Sequence, residues 1–144
     1  PRARAAILGL TRGSTDAHIA LATLRSLAYS SRDILDCMVS DSGIAIEQLR
    51  VDGGACASDL LMQFQADILG VPVARPTMVE STAAGAAYLA GLGVGVWKDI
   101  EYLHQHHEIE RVFEPSMDDG ERARLMHWWR KSVGRTLDWA EDEK

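Results

Sequence analysis

Apolar residues recur along this chain in two rhythms, one suited to strands and one to helices. The first is the short unbroken run Ala5-Ala6-Ile7-Leu8-Gly9-Leu10, which leaves through Thr11-Arg12-Gly13-Ser14, the pattern of a buried strand running into a turn. Ser14, Thr15 and Asp16 then offer N-caps to a segment in which Ile19, Thr23, Leu27, Ile34 and Met38 recur at roughly helical spacing as far as Ser42-Gly43. This predicts one long helix with those residues on its buried face. Leu49-Arg50-Val51-Asp52 leads into Gly53-Gly54, and Leu60, Leu61, Phe64, Ile68 and Leu69 follow with helical period until Gly70 stops them. The unit is strand, glycine turn, helix.

Val71-Pro72-Val73-Ala74-Arg75 is a brief extended segment closed by Pro76, and proline places it at the outside of a sheet, because it donates no N–H to a ladder. Residues 80–94 are rich in Ala and Gly, the composition of a helix pressed against a neighbour, with Gly85 and Gly91 at the close approach. Beyond the polar patch His104-Gln105-His106-His107 comes an extended Val112-Phe113-Glu114-Pro115. A last helix starts near Asp118-Asp119, with Leu125, Trp128, Trp129, Val133 and Leu137 as one stripe. Strands alternating with helices through glycine turns predict an α/β fold, its sheet covered by helices on both faces. Ligands of such sheets bind outside the carboxyl ends of the strands.

Composition narrows the class. With 144 residues and 47% hydrophobic content the chain can bury one real core. A net charge of -6 with scattered Lys and Arg argues against nucleic acid as a partner. Cys37 and Cys56 have neither disulfide-framework nor zinc spacing, which fits a reducing, cytoplasmic setting. No apolar run is long enough to span a bilayer, and no segment looks like a signal peptide. The sequence begins at Pro1 without Met and enters an apolar run almost at once, so it reads as a piece of something longer.

The strongest chemical candidate is Asp52-Gly53-Gly54-Ala55-Cys56-Ala57-Ser58. Two glycines at a strand end permit positive φ and let a ligand approach without a Cβ in its way, while the helix that follows aims free N–H groups and its positive dipole end at the same place. The same residues also suit a plain strand-to-helix connection in which Ser58 or Asp59 merely satisfies the first turn. On these residues alone the two readings stand level. His104 and His107 would share a helix face, but no neighbouring Cys or adequately placed carboxylate completes a four-ligand shell, so no metal is assigned. Of Trp128 and Trp129, at least one is core and the other lies near the rim. Neither a Ser-His-Asp set nor an isolated general base can be assembled, and no catalytic residue is assigned.

Four ordered blocks carry a further reading: Ala5-Ala6-Ile7-Leu8-Gly9-Leu10-Thr11-Arg12-Gly13 with His18-Ile19 and Ala22-Thr23-Leu24; Leu49-Arg50-Val51-Asp52-Gly53-Gly54-Ala55; Leu61-Met62-Gln63-Phe64-Gln65-Ala66-Asp67-Ile68-Leu69-Gly70; and Gly85-Ala86-Ala87-Tyr88-Leu89-Ala90-Gly91-Leu92. Together they resemble the carboxy-terminal part of the FGGY carbohydrate kinases, lying nearest the glycerol-phosphorylating members. The resemblance implies an actin-like (ribonuclease H-like) ATPase domain, residues 1–144 forming most of the second of two domains that close on a cleft. That domain would be incomplete at its N-terminal side and carry extra C-terminal helices.

It also implies ATP with Mg²⁺ as cofactors, glycerol as acceptor in the intact enzyme, and a homo-oligomer. The family's nucleotide contacts fall on Gly54 and Ser58, with Gly53 shaping the cradle. Ser58 departs from the Asn often found there, and Arg25 from an acidic residue or Gln. The catalytic aspartate and the glycerol-binding residues would lie upstream, so the segment alone is expected to be inactive. The strand at residues 5–10 would be the third of its domain, separated from the one at 49–52 by two strands not present here. A kinase for a pentose or sugar acid, or a stand-alone nucleotide-binding or docking module, are the alternatives.

Overall fold

The computed structural model describes residues 2–105 and 108–140. The elements run α1 (Asp16–Ser42), β1 (Leu49–Arg50), a 3-10 turn (Gly54–Ala57), α2 (Asp59–Leu69), β2 (Val73–Pro76), α3 (Ser81–Gly93), α4 (Ile100–Gln105), β3 (Ile109–Phe113) and α5 (Asp119–Gly134). Local signals set most boundaries. Gly43 ends α1 and Gly70 ends α2, each in the left-handed conformation at φ 70° and 72°. Ser58 and Asp118 cap α2 and α5, their side chains accepting from Leu61 N–H and Glu121 N–H.

The sheet has the order β1-β2-β3. β1 runs parallel to β2 with Leu49 opposite Val73, and β3 runs antiparallel to β2 with Val73 opposite Phe113. β2 is therefore the middle strand, not the outer one that its proline suggested. Pro76 is its last residue, and the β2–β3 ladder is irregular between Arg75 and Pro76, where a missing donor breaks no regular bond.

α2 turns most of its residues into the core, with Asp59, Gln63 and Asp67 on its more accessible side. Leu61, Met62, Phe64, Ala66, Ile68 and Leu69 join Val73, Phe113, Ala28 and Met126 in the core. Its C-terminal carbonyls are capped by arginines from both flanking helices. Arg32 of α1 donates to Ile68 O (2.9 Å) and Leu69 O (3.1 Å), and Arg122 of α5 to Asp67 O (2.6 Å). Tyr29 of α1 meets Phe64 edge-on and stacks on Trp129 of α5, whose indole donates to Asp33 at 2.6 Å. Trp129 is thus the inner tryptophan and Trp128 the exposed one.

Three further expectations are corrected. α1 has the anticipated bounds but turns the other face inward: Leu24, Ala28, Tyr29 and Leu35 pack on the core, while Leu27, Ile34 and Met38 are 48%, 61% and 56% exposed. The helix carries two apolar stripes, and only the position of α2 decides between them. Residues 5–10 are not a strand, and Ile7, Leu8 and Leu10 lie exposed. An apolar run becomes a strand only when a neighbour takes its N–H and C=O groups, and none of the three described strands does so. In α3, a Cβ on Gly85 would meet nothing within 4 Å, so no close packing requires that glycine. At Gly91 a Cβ would run into the indole of Trp97, which lies in the segment following α3 and not on a neighbouring helix or the sheet. The histidine patch lies outside the described residues for His106, His107 and the side chain of His104, as does the terminal stretch from residue 141 onward.

Candidate functional site

The chain leaves β1 and reverses at Gly53, whose φ of 80° and ψ of 168° belong to a region open essentially to glycine alone. Gly53 N–H donates to Val79 O (2.7 Å), tying the turn to the segment after β2. Cys56 N–H returns to Gly53 O (3.1 Å) and Ser58 N–H to Ala55 O (3.2 Å), closing one turn of 3-10 helix directly before α2. The two glycines therefore differ. Gly53 carries the positive φ, whereas Gly54 does not, and a Cβ at Gly54 would meet nothing within 4 Å. The space before Gly54 is open.

Ser58 is occupied locally, its hydroxyl oxygen accepting from Leu61 N–H at 3.3 Å as the cap of α2. Cys56 faces inward with 1% of its surface exposed. Burial pushes its thiol pKa up, with the nearby Arg75 cation pulling the other way.

Behind the turn lies a cluster the motif reading missed. Arg75, only 6% exposed, grips Glu110 with Nε (2.6 Å) and Nη2 (3.2 Å), and with Nη1 it reaches both Cys56 O (2.9 Å) and Asp59 Oδ1 (2.8 Å). Arg111 takes the other oxygen of Asp59 at 2.6 Å. Both guanidiniums lie against the Phe113 ring, at 5.2 and 4.4 Å from its centroid. Hydrogen bonds donated to Glu110 and then to Asp59 raise the Arg75 pKa and keep the cation fixed. The available signal was a lone charge inside the apolar stretch Val71 to Pro76.

Apart from the turn, a concavity of about 630 Å³ opens between α1 and α5 and includes Arg32, Arg122 and Arg130. Those arginines already hold Asp36, Asp119 and the carbonyls that end α2, so the hollow is a by-product of helix packing. Arg25 lies over the Phe64 ring at 4.6 Å, on the α1–α2 contact.

The sequence profile described as the C-terminal domain of the FGGY family of carbohydrate kinases matches residues 1–94. The chain belongs to that family. Glycerol kinase from Deinococcus radiodurans is 52% identical over 142 residues, covering 99% of this chain and 28% of that protein. Glycerol kinase 1 from Clostridium tetani is 55% identical over 143 residues, with 99% and 29% covered. Among solved structures, glycerol kinase from Plasmodium falciparum with ADP superposes at a TM-score of 0.80 and 36% identity, covering 94% of this FGGY chain and 27% of that one. Gluconate kinase from Lactobacillus acidophilus shares the fold at a TM-score of 0.71 and 22% identity. The FGGY chain thus has the actin-like ATPase fold, and it spans about 28% of the length of the curated relatives it matches.

Proposed function

We propose that this chain is the C-terminal, ATP-binding domain of a glycerol kinase, with the N-terminal domain and the first strands of this domain elsewhere in a longer polypeptide. The observation that carries the nucleotide site is the turn itself: Gly53 in a glycine-only conformation, open space before Gly54, and the N-terminus of α2 immediately behind. In this reading Gly53 and Gly54 shape the cradle and let the nucleotide approach the backbone, and Gly54 and Ser58 contact it. The dipole of α2 favours its negative charge.

When bound, Mg-ATP supplies the phosphoryl group and the metal's charge neutralisation. A terminal hydroxyl oxygen of glycerol bonds to the γ-phosphorus as the bond to the β,γ-bridging oxygen breaks. ADP departs and the hydroxyl proton passes to a base outside this chain. Glycerol 3-phosphate results. The part played by these residues is positioning, a large contributor to phosphoryl transfer. A homo-oligomeric enzyme in the cytoplasm belongs to the same reading.

The test is Gly54→Val in the full-length enzyme. A branched side chain in the open space is expected to raise the KM for ATP by about tenfold or more in a folded protein. Unchanged ATP kinetics would reduce the glycine to a connector. Glycerol is expected to be turned over in preference to pentoses and gluconate, and the reverse preference would reassign the acceptor.

A further inference from the structure

The cluster around Arg75 is more than a fold staple would require. A cation this deeply buried is costly unless its donors are used, and four hydrogen bonds tie Arg75 to three separate elements: β3 through Glu110, the 3-10 turn through Cys56 O, and the first turn of α2 through Asp59. Apart from Arg75, the middle of the turn is held by the buried side chain of Cys56 and by its own backbone bonds. Its own two bonds are a single 3-10 turn's worth, and they follow a Gly-Gly pair, the most permissive backbone available.

Asp59 sharpens the point. An acid in the first turn suits the helix dipole, yet it would repel an anion arriving at the same helix end. Arg75 and Arg111 each hold one of its oxygens, so that its charge is matched by cations on the sheet side.

We infer that Arg75 is a positioning residue for nucleotide binding: braced on Glu110, it fixes the Cys56 carbonyl and the Asp59 carboxylate, and through them the backbone from Gly54 to Ser58. This rests on the nucleotide reading of that turn. Lysine is a poor substitute, because one ammonium cannot span Glu110, Cys56 O and Asp59 in the planar arrangement a guanidinium offers.

The experiment compares Arg75→Lys, Glu110→Gln and Gly54→Val in the full-length enzyme, measuring kcat, the KM for ATP, the KM for glycerol and the melting temperature. Arg75→Lys is expected to raise the KM for ATP by about tenfold while leaving the KM for glycerol within about twofold. Glu110→Gln, on the solvent side of the pair, should fold and shift the KM for ATP in the same direction by less. An ATP KM unmoved in both variants overturns the inference, as does an equal rise for both substrates, the mark of general loosening. Should Arg75→Lys fail to fold, Glu110→Gln decides alone. If Gly54→Val raises the KM for ATP and the other two do not, only the role of Arg75 fails. If Gly54→Val also leaves it unchanged, the nucleotide reading itself falls.

Discussion

Replacing Gly53 and Gly54 by alanine, one at a time, should give opposite results from adjacent positions. At Gly53 the φ of 80° and ψ of 168° lie where a residue with a Cβ is held at a cost of order 1–3 kcal/mol. No steric clash adds to this, since the new Cβ would meet nothing within 4 Å. The turn could relax toward negative φ only by giving up Gly53 N–H to Val79 O and Cys56 N–H to Gly53 O. At roughly 0.5–1.5 kcal/mol each, these make escape no cheaper than the strain. Gly53→Ala is therefore expected to destabilise by about 1–3 kcal/mol. Gly54 has no positive φ, and its Cβ direction is open, so Gly54→Ala should fall within about 0.5 kcal/mol of the parent or gain slightly from a stiffer unfolded chain. Parallel urea melts of the two variants, followed by circular dichroism, provide the assay. Equal midpoints, or the larger loss at Gly54, would refute the account of the turn.

Residues 1–144 alone are expected to form no glycerol 3-phosphate from ATP and glycerol, in a coupled assay that detects the full-length enzyme. Exposed Cys37 should react with a thiol reagent under native conditions, while buried Cys56 should react only after denaturant is added, as peptide mapping would show. Burial raises the Cys56 pKa, so its contribution to stability is complete below the ordinary thiol range and is lost as pH rises through the raised value. Melts at increasing pH should fall more steeply for the parent than for Cys56→Ala. Trp129→Phe removes the 2.6 Å bond to Asp33 and part of the stacking on Tyr29, at an expected cost of about 1–2 kcal/mol, measured by denaturant unfolding.

What the sequence made legible was what neighbours in the chain decide. The caps at Ser58 and Asp118, the stops at Gly43 and Gly70, and the place of the glycine turn all depend on a few adjacent residues. The face that α1 buries was not legible, because both of its stripes are apolar and α2 makes the choice. Pro76 pointed to an outer strand because the irregularity that accommodates it belongs to the pairing with β3, not to the strand itself. For the site, the turn was visible, but which glycine carries the positive φ was not. Arg75 was visible as a charge among apolar residues, yet its partners lie 16, 19 and 35 positions away in sequence. Only the folded chain brings them together.

The break at Pro76 also bears on how errors of strand pairing are avoided. β3 must find β2 across the residues of α3 and α4, and both strands are short enough to offer rival alignments. Sliding β2 by one residue would send Arg75 to the opposite side of the sheet, away from Glu110 and Asp59, stranding a guanidinium in an apolar layer. A proline at the end of β2 penalises any alignment that would carry the ladder regularly past it, because it has no N–H to offer. Mispaired strands would lose the partnered cation, whereas the native alignment keeps Arg75 neutralised by Glu110.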